Sequence, residues 1–113
     1  MDVSGGGRAF QILTVLLDEP LHGYAIVRAV AALSAGGTKL SVSTLYAALD
    51  RLIERGLVAA DREEVVNGRL RRYYRITDAG VDALSAQATQ MADQASHTLG
   101  RIAARRPATG GIA

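Results

Sequence analysis

The dipeptide Asn67-Gly68 constrains the fold of this chain more than any other pair of residues. It sits between "LVAADREEVV" and "RLRRYYRIT", two strand-like runs. A two-residue type I′ turn needs positive φ at both central positions, which Asn-Gly supplies. The sequence therefore predicts a β-hairpin with its tip at 67–68. Side chains alternate along a strand, so Leu70, Arg72, Tyr74 and Ile76 share one face. Arg69, Arg71, Tyr73 and Arg75 share the other. Tyr74 is expected inside with Ile76.

The chain before the hairpin reads as three short helices. "AFQILTVLLD" predicts a first helix from Arg8 or Ala9 to Asp18, mostly buried through Phe10, Ile12, Leu13, Leu16 and Leu17. "EPLHG" at 19–23 breaks it, because the residue before a proline disfavours the α region. "YAIVRAVAALS" carries Ile26, Val30 and Leu33 at helical spacing, and "AGG" at 35–37 stops it. "TKL" at 38–40 is expected to be a very short strand. Ser41 is a good N-cap for a third helix from Val42 to about Arg55, with Leu45, Leu49, Leu52 and Ile53 as its apolar stripe. Gly56 ends it.

After the hairpin, Thr77 reads as an N-cap with Asp78 in the first turn of a fourth helix. That helix is expected to reach about Arg105. Val81, Leu84, Ala88, Met91, Ala95, Leu99 and Ile102 form its stripe. Such a stripe must pack on something, and it is longer than a small domain can cover. The predicted organisation is a flexible arm over 1–8, a domain over 9–77, a C-terminal helix over 78–105 and a flexible tail over 106–113. Three helices followed by a two-stranded hairpin give a mainly α fold, a winged helix-turn-helix domain with a long C-terminal helix. In that architecture the third helix enters the major groove and the hairpin lies alongside the DNA backbone or minor groove.

Composition narrows the function. A length of 113 residues fits one domain. With no cysteine, disulfides and thiolate zinc sites are excluded. The longest nearly pure apolar run, Phe10 to Leu17 with Gln11 and Thr14 inside it, is too short to span a membrane. The N-terminal "MDVSGGGRAF" has no signal-peptide pattern, so a cytoplasmic protein is expected. His22 and His97 lack partners at metal-ligand spacing; no metal and no cofactor are expected. His22 reads as a cap or turn-packing residue, and His97 as a solvated or interface residue. With no nucleophile motif, phosphate-binding loop or paired carboxylates, an enzyme is not expected.

The net charge of +2 is small, but its distribution is not even. "RLRRYYR" over 69–75 holds four arginines and no acid, while "DREE" at 61–64 is mostly acidic. Local basicity of this kind suits nucleic acid. On the third helix, Ser43 and Tyr46 fall off the apolar stripe, with Thr44 in the same first turn and Lys39 just before it. The unpaired N–H groups of a helix N-terminus suit a phosphate. Asp50 and Glu54 would repel one, so contact through the first half of the helix is expected.

Three separated stretches, "LLDEPLHGYAI", "LSVSTLYAALDRLIERGLV" and "GRLRRYYRITDAG", resemble the PadR family of bacterial transcription regulators. They occur in the family's order and span roughly Ile12 to Leu84. The resemblance implies a cytoplasmic homodimer paired through the C-terminal helix. It also implies binding to a double-stranded DNA operator, commonly with repression relieved by a small ligand. The short form, with one C-terminal helix, fits the length. Two positions depart from the pattern: Val42 stands where proline is frequent, and Ser43 where glycine is common. Candidate DNA contacts are Lys39, Ser41, Ser43, Thr44, Tyr46, Arg51, Arg69, Arg71, Arg72 and Tyr73. Candidate dimer contacts are Phe10, Val81, Leu84, Ala88, Met91, Ala95, Leu99 and Ile102. Small residues around Met91 permit close helix packing, the favoured reading, or a cavity for a flat hydrophobic effector. A second class stays open: a winged helix that has lost DNA binding and serves as a protein-interaction module.

Overall fold

The computed structural model describes residues 7–105. The expected tail over 106–113 and most of the expected arm lie outside the described residues. Arg8, assigned to that arm, opens the first helix instead.

Helix α1 (Arg8–Val15) buries Ile12 and Leu13. It ends three residues earlier than the pattern suggests. The N–H of Leu16 turns back to the carbonyls of Ile12 and Leu13 at 3.3 and 3.2 Å, and that of Leu17 bonds Thr14. The tightened turn ends the helix ahead of Pro20, which disfavours the α region at Glu19. Leu17 is thereby left 49% exposed rather than buried.

The short strand forms at a different place from the one expected. β1 is Leu21–His22, and 38–40 carries no strand. There Leu40 drops into the core, and the Thr38 N–H donates to Ser34 Oγ at 2.9 Å. Helix α2 (Gly23–Leu33) follows, with Ile26 and Val30 buried and Leu33 half out. Helix α3 (Val42–Glu54) buries Leu45, Leu49 and Leu52. Ile53 sits at the edge of that stripe and is 39% exposed.

Strands β2 (Val58–Val66) and β3 (Arg69–Ile76) form the predicted hairpin. Asn67 and Gly68 have φ of 52° and 77°, as a type I′ turn requires. The antiparallel sheet has the order β1-β3-β2, with Leu21 opposite Tyr74 and His22 opposite Tyr73. One departure from simple alternation lies in "DREE". The register slips between Ala60 and Glu63, so β2 carries one extra residue there. Such a bulge bends the strand and increases its twist. Tyr74 is buried and Ile76 packs against the core, as their shared face predicts. Leu70 shares that face but lies near the tip, beyond the core, and is 59% exposed.

Helix α4 (Asp78–Arg105) is clamped to the domain at its first turn. Thr77 Oγ1 accepts from the Gly80 N–H at 3.0 Å and donates to the Gly56 carbonyl at 2.7 Å. The Thr77 N–H donates to the Leu57 carbonyl at 3.0 Å. Gly80 lies so close to that segment that an added Cβ would strike the Leu57 carbonyl oxygen. The helix must start there, and only glycine fits. Leu84 then enters the core, and Met91 is partly covered. From Ala92 to Arg105 every residue is exposed. With a rise of about 1.5 Å per residue, this half projects roughly 20 Å. Among the described residues no polar or charged side chain is buried, so any charge-bearing site they form lies on the surface.

Candidate nucleic-acid interface

Helix α3 begins with a cap. Ser41 Oγ accepts from the Thr44 N–H at 3.1 Å and donates to Thr44 Oγ1 at 2.8 Å. Ser43 Oγ lies 3.4 Å from Ser41 Oγ. The cap fixes the direction of the helix and leaves Ser41, Val42 and Ser43 exposed at its start. Ser41, expected to touch DNA, has its hydroxyl committed to the cap and acts first as a positioning residue.

Tyr46 is 40% exposed and joins three elements. Its ring tilts against Tyr74 of β3, centroids 6.4 Å apart. Its hydroxyl sits over the start of α2, where a Cβ on Gly23 would lie 2.6 Å from the oxygen. Part of the ring is therefore packing, and the rest faces a groove. The walls of that groove come from the α2 N-terminus, α3 and the β2–β3 wing. It measures about 610 Å³ and is lined by Tyr24, Tyr46, Arg69, Arg71 and Arg72. No carboxylate among the described residues lines it.

The arginines of β3 are not equivalent. Arg72 Nε donates to Glu63 at 3.1 Å across the sheet. Arg75 lies 3.8 Å from Asp61. Arg62, on β2, pairs with Asp61 at 3.1 Å and Glu64 at 3.5 Å, and its guanidinium stacks 4.0 Å above the Tyr73 ring. The Tyr73 hydroxyl donates to Glu64 at 2.9 Å. Among the described residues, Arg69 and Arg71 have no such partner. Of the four wing candidates, two present free guanidinium groups and two are tied to the acids of "DREE". The bulge accounts for the pairing, because it places Glu63 opposite Arg72 and Glu64 opposite Arg71.

His22 holds the N-cap position of α2 but its side chain makes no cap hydrogen bond. It packs edge-on against Tyr73, centroids 5.4 Å apart. The packing part of its expected role is thus correct, and the capping part is not. Burial holds its pKa below 6.5, and the nearby charges of Arg71 and Arg28 push the same way. The charge of Glu64 acts the other way. Tyr24 and Arg28 were missed in the sequence. Tyr24 is 63% exposed, and Arg28 stacks 5.3 Å from its ring centre. Their i,i+4 spacing off the Ile26–Val30 stripe was the available signal.

Lys39 and Arg51 are exposed, Lys39 before α3 and Arg51 on the flank facing α1. The dimer candidates also divide. Leu84 is 5% exposed and belongs to its own domain's core, so it has little surface left for a partner. Phe10 packs against the same core. Val81, Leu99 and Ile102 are 40, 66 and 42% exposed. Ala88 and Ala95 are exposed, and Met91 is half-covered.

The family model described as "Transcriptional regulator PadR-like family" matches residues 12–86. The chain belongs to this family. It is 37% identical over 89 residues to the transcriptional regulator Rv3488 of Mycobacterium tuberculosis, covering 79% of each chain. A PadR family transcription regulator from Clostridium difficile superposes with a TM-score of 0.70 at 21% identity, over 83% of this chain and 96% of that one. Bacillus subtilis PadR, solved in complex with operator DNA, superposes at 0.61 with 23% identity, over 69% of this chain and 44% of that one. No described helix is long and apolar enough to cross a membrane.

Proposed function

We propose that this chain is a cytoplasmic, homodimeric repressor that binds a double-stranded DNA operator through α3 and the wing. One observation carries the reading. An exposed tyrosine of α3 and two arginines of the wing, unpaired among the described residues, line a single groove that no described carboxylate lines. Phosphate oxygens are strong acceptors, and unpaired guanidinium groups at the mouth of such a groove are suited to them. Arg69, Arg71 and Tyr46 make the backbone contacts, with Lys39 and Ser43 at the helix start. Arg72 and Tyr73 shape the wing through Glu63 and Glu64. The relative from Bacillus subtilis, solved on operator DNA, supports the reading by analogy of fold. The outer half of α4 pairs with its mate by close packing of its small residues, and binding of a small hydrophobic effector relieves repression.

The test is a mobility shift with a duplex from immediately upstream of the chain's own gene, against a scrambled duplex of equal length. Retardation of the upstream duplex at lower protein concentration is expected. Absence of any shift, with the protein folded, contradicts the proposal and leaves a protein-interaction module.

A further inference from the structure

α3 is flanked by two grooves. One opens towards the wing and holds Tyr46. The other lies between the start of α1 and the opposite flank of α3, with a volume of about 730 Å³. Its wall carries Arg8, Arg51 and Arg55, and no carboxylate among the described residues lines it. Among the described residues, Arg8 and Arg51 have no ion-pair partner. Thr44 stands at its α3 edge, and Ala47 and Ala48 keep that wall low. On the α1 side, Gly7 occupies the N-cap and offers no side chain to the first N–H groups, and no acid lies in the first turn. Among the described residues, no side chain caps the start of α1, whose positive end lies beside Arg8 and Arg51.

The two basic grooves lie on opposite sides of α3. Positions 44, 48 and 51 face α1, while Tyr46 faces the wing. A helix seated in a major groove about 12 Å wide has a sugar–phosphate strand on each side. We infer that the groove between α1 and α3 is a second phosphate seat, in which Arg8 and Arg51 grip the DNA strand opposite the one held by the wing. This rests on the DNA-binding proposal and adds to it a contact from α1. The recognition helix is then held from both flanks, which fixes its roll in the groove. Such contacts position the protein and carry no base preference.

The experiment measures binding of a labelled upstream duplex and a scrambled duplex over a range of salt, for wild type and for Arg8→Ala with Arg51→Ala. Both side chains are exposed, and circular dichroism checks that the variant folds. The log–log salt slope is expected to become shallower by roughly 0.9 for each phosphate left without its arginine, with both duplexes weakened about equally. Wild-type binding with an unchanged slope in the variant overturns the second seat and leaves the wing proposal standing. Failure of the wild type to bind either duplex overturns both. A second arm adds inorganic phosphate without DNA. A phosphate-dependent rise in melting temperature that the variant loses, with an unchanged duplex slope, would assign the groove to a free anion and overturn the strand contact.

Discussion

Two parts of the molecule reach beyond its core, the wing tip and the outer half of α4, and each lacks something different. Among the described residues, the wing tip carries charge without a counter-charge at Arg69 and Arg71. The outer half of α4 carries apolar surface without cover at Leu99 and Ile102, 66 and 42% exposed. Closer to the core both needs are met within the chain. Arg72 finds Glu63 at 3.1 Å, and Leu84 is 5% exposed. In the proposed function the wing meets an anion and the outer helix an apolar surface. The two should respond oppositely to salt, because screening weakens charge contacts while apolar association survives it.

The largest expected effect tests the covered end of α4. Leu84→Ala removes a buried side chain and should cost about 2–5 kcal/mol of domain stability, read by thermal or urea unfolding. Leu99→Ala should leave the unfolding of the domain itself nearly unchanged. If both substitutions destabilised the monomeric domain alike, the division of the helix would be wrong.

A second pair sharpens the same division with glycines. Gly80→Ala drives a methyl group into the Leu57 backbone and should cost roughly 1–3 kcal/mol. Gly100 has nothing within 4 Å of an added Cβ. Gly100→Ala should instead stabilise by roughly 0.5–1 kcal/mol, through helix propensity. Opposite shifts in melting temperature are the expected result, and equal losses would count against the clamp.

The outer apolar residues are tested by association. Leu99→Ser with Ile102→Ser should shift the light-scattering mass from dimer towards monomer while helicity at low concentration stays close to wild type. A dimer of undiminished strength would place the interface elsewhere. Adding salt should not dissociate the wild-type dimer.

A further effect concerns Tyr46. Tyr46→Phe keeps the ring against Tyr74 and removes only the hydroxyl. A hydrogen bond to a charged acceptor is worth about 1.5–3 kcal/mol, so a loss of roughly tenfold or more in operator affinity is expected. A lowered melting temperature with wild-type affinity would instead make the hydroxyl a packing group over Gly23.

Much of this was legible in the sequence because it depends on local chemistry. Asn67-Gly68 dictates its turn, Ser41 and Thr77 cap their helices, and the alternation of β3 put Tyr74 inside. The features that differ from expectation depend mostly on distant partners. β1 has only two residues, and Leu21 and His22 become a strand through Tyr74 and Tyr73, some fifty positions away. No local pattern marks that. The bulge in "DREE" decides which arginines are paired, and it follows from how β2 and β3 meet. The stripe on α4 looks uniform in sequence. That Leu84 faces its own core while Leu99 is bare follows from the Gly80 contact that sets the direction of the helix.

The most direct test of the central claim compares free and paired arginines by the salt dependence of duplex binding. Arg69→Ala with Arg71→Ala should weaken binding to all duplexes about equally and flatten the log–log slope by roughly 0.9 for each phosphate that loses its arginine. Removing the pair Arg72 and Glu63 together, as R72A with E63A, leaves no stray charge. It should keep the slope near wild type, because Arg72 is already neutralised by Glu63 at 3.1 Å and in the proposed function supplies no phosphate contact. A slope unchanged in the Arg69/Arg71 variant, or lowered equally in both, would contradict the assignment of the wing tip as a phosphate contact.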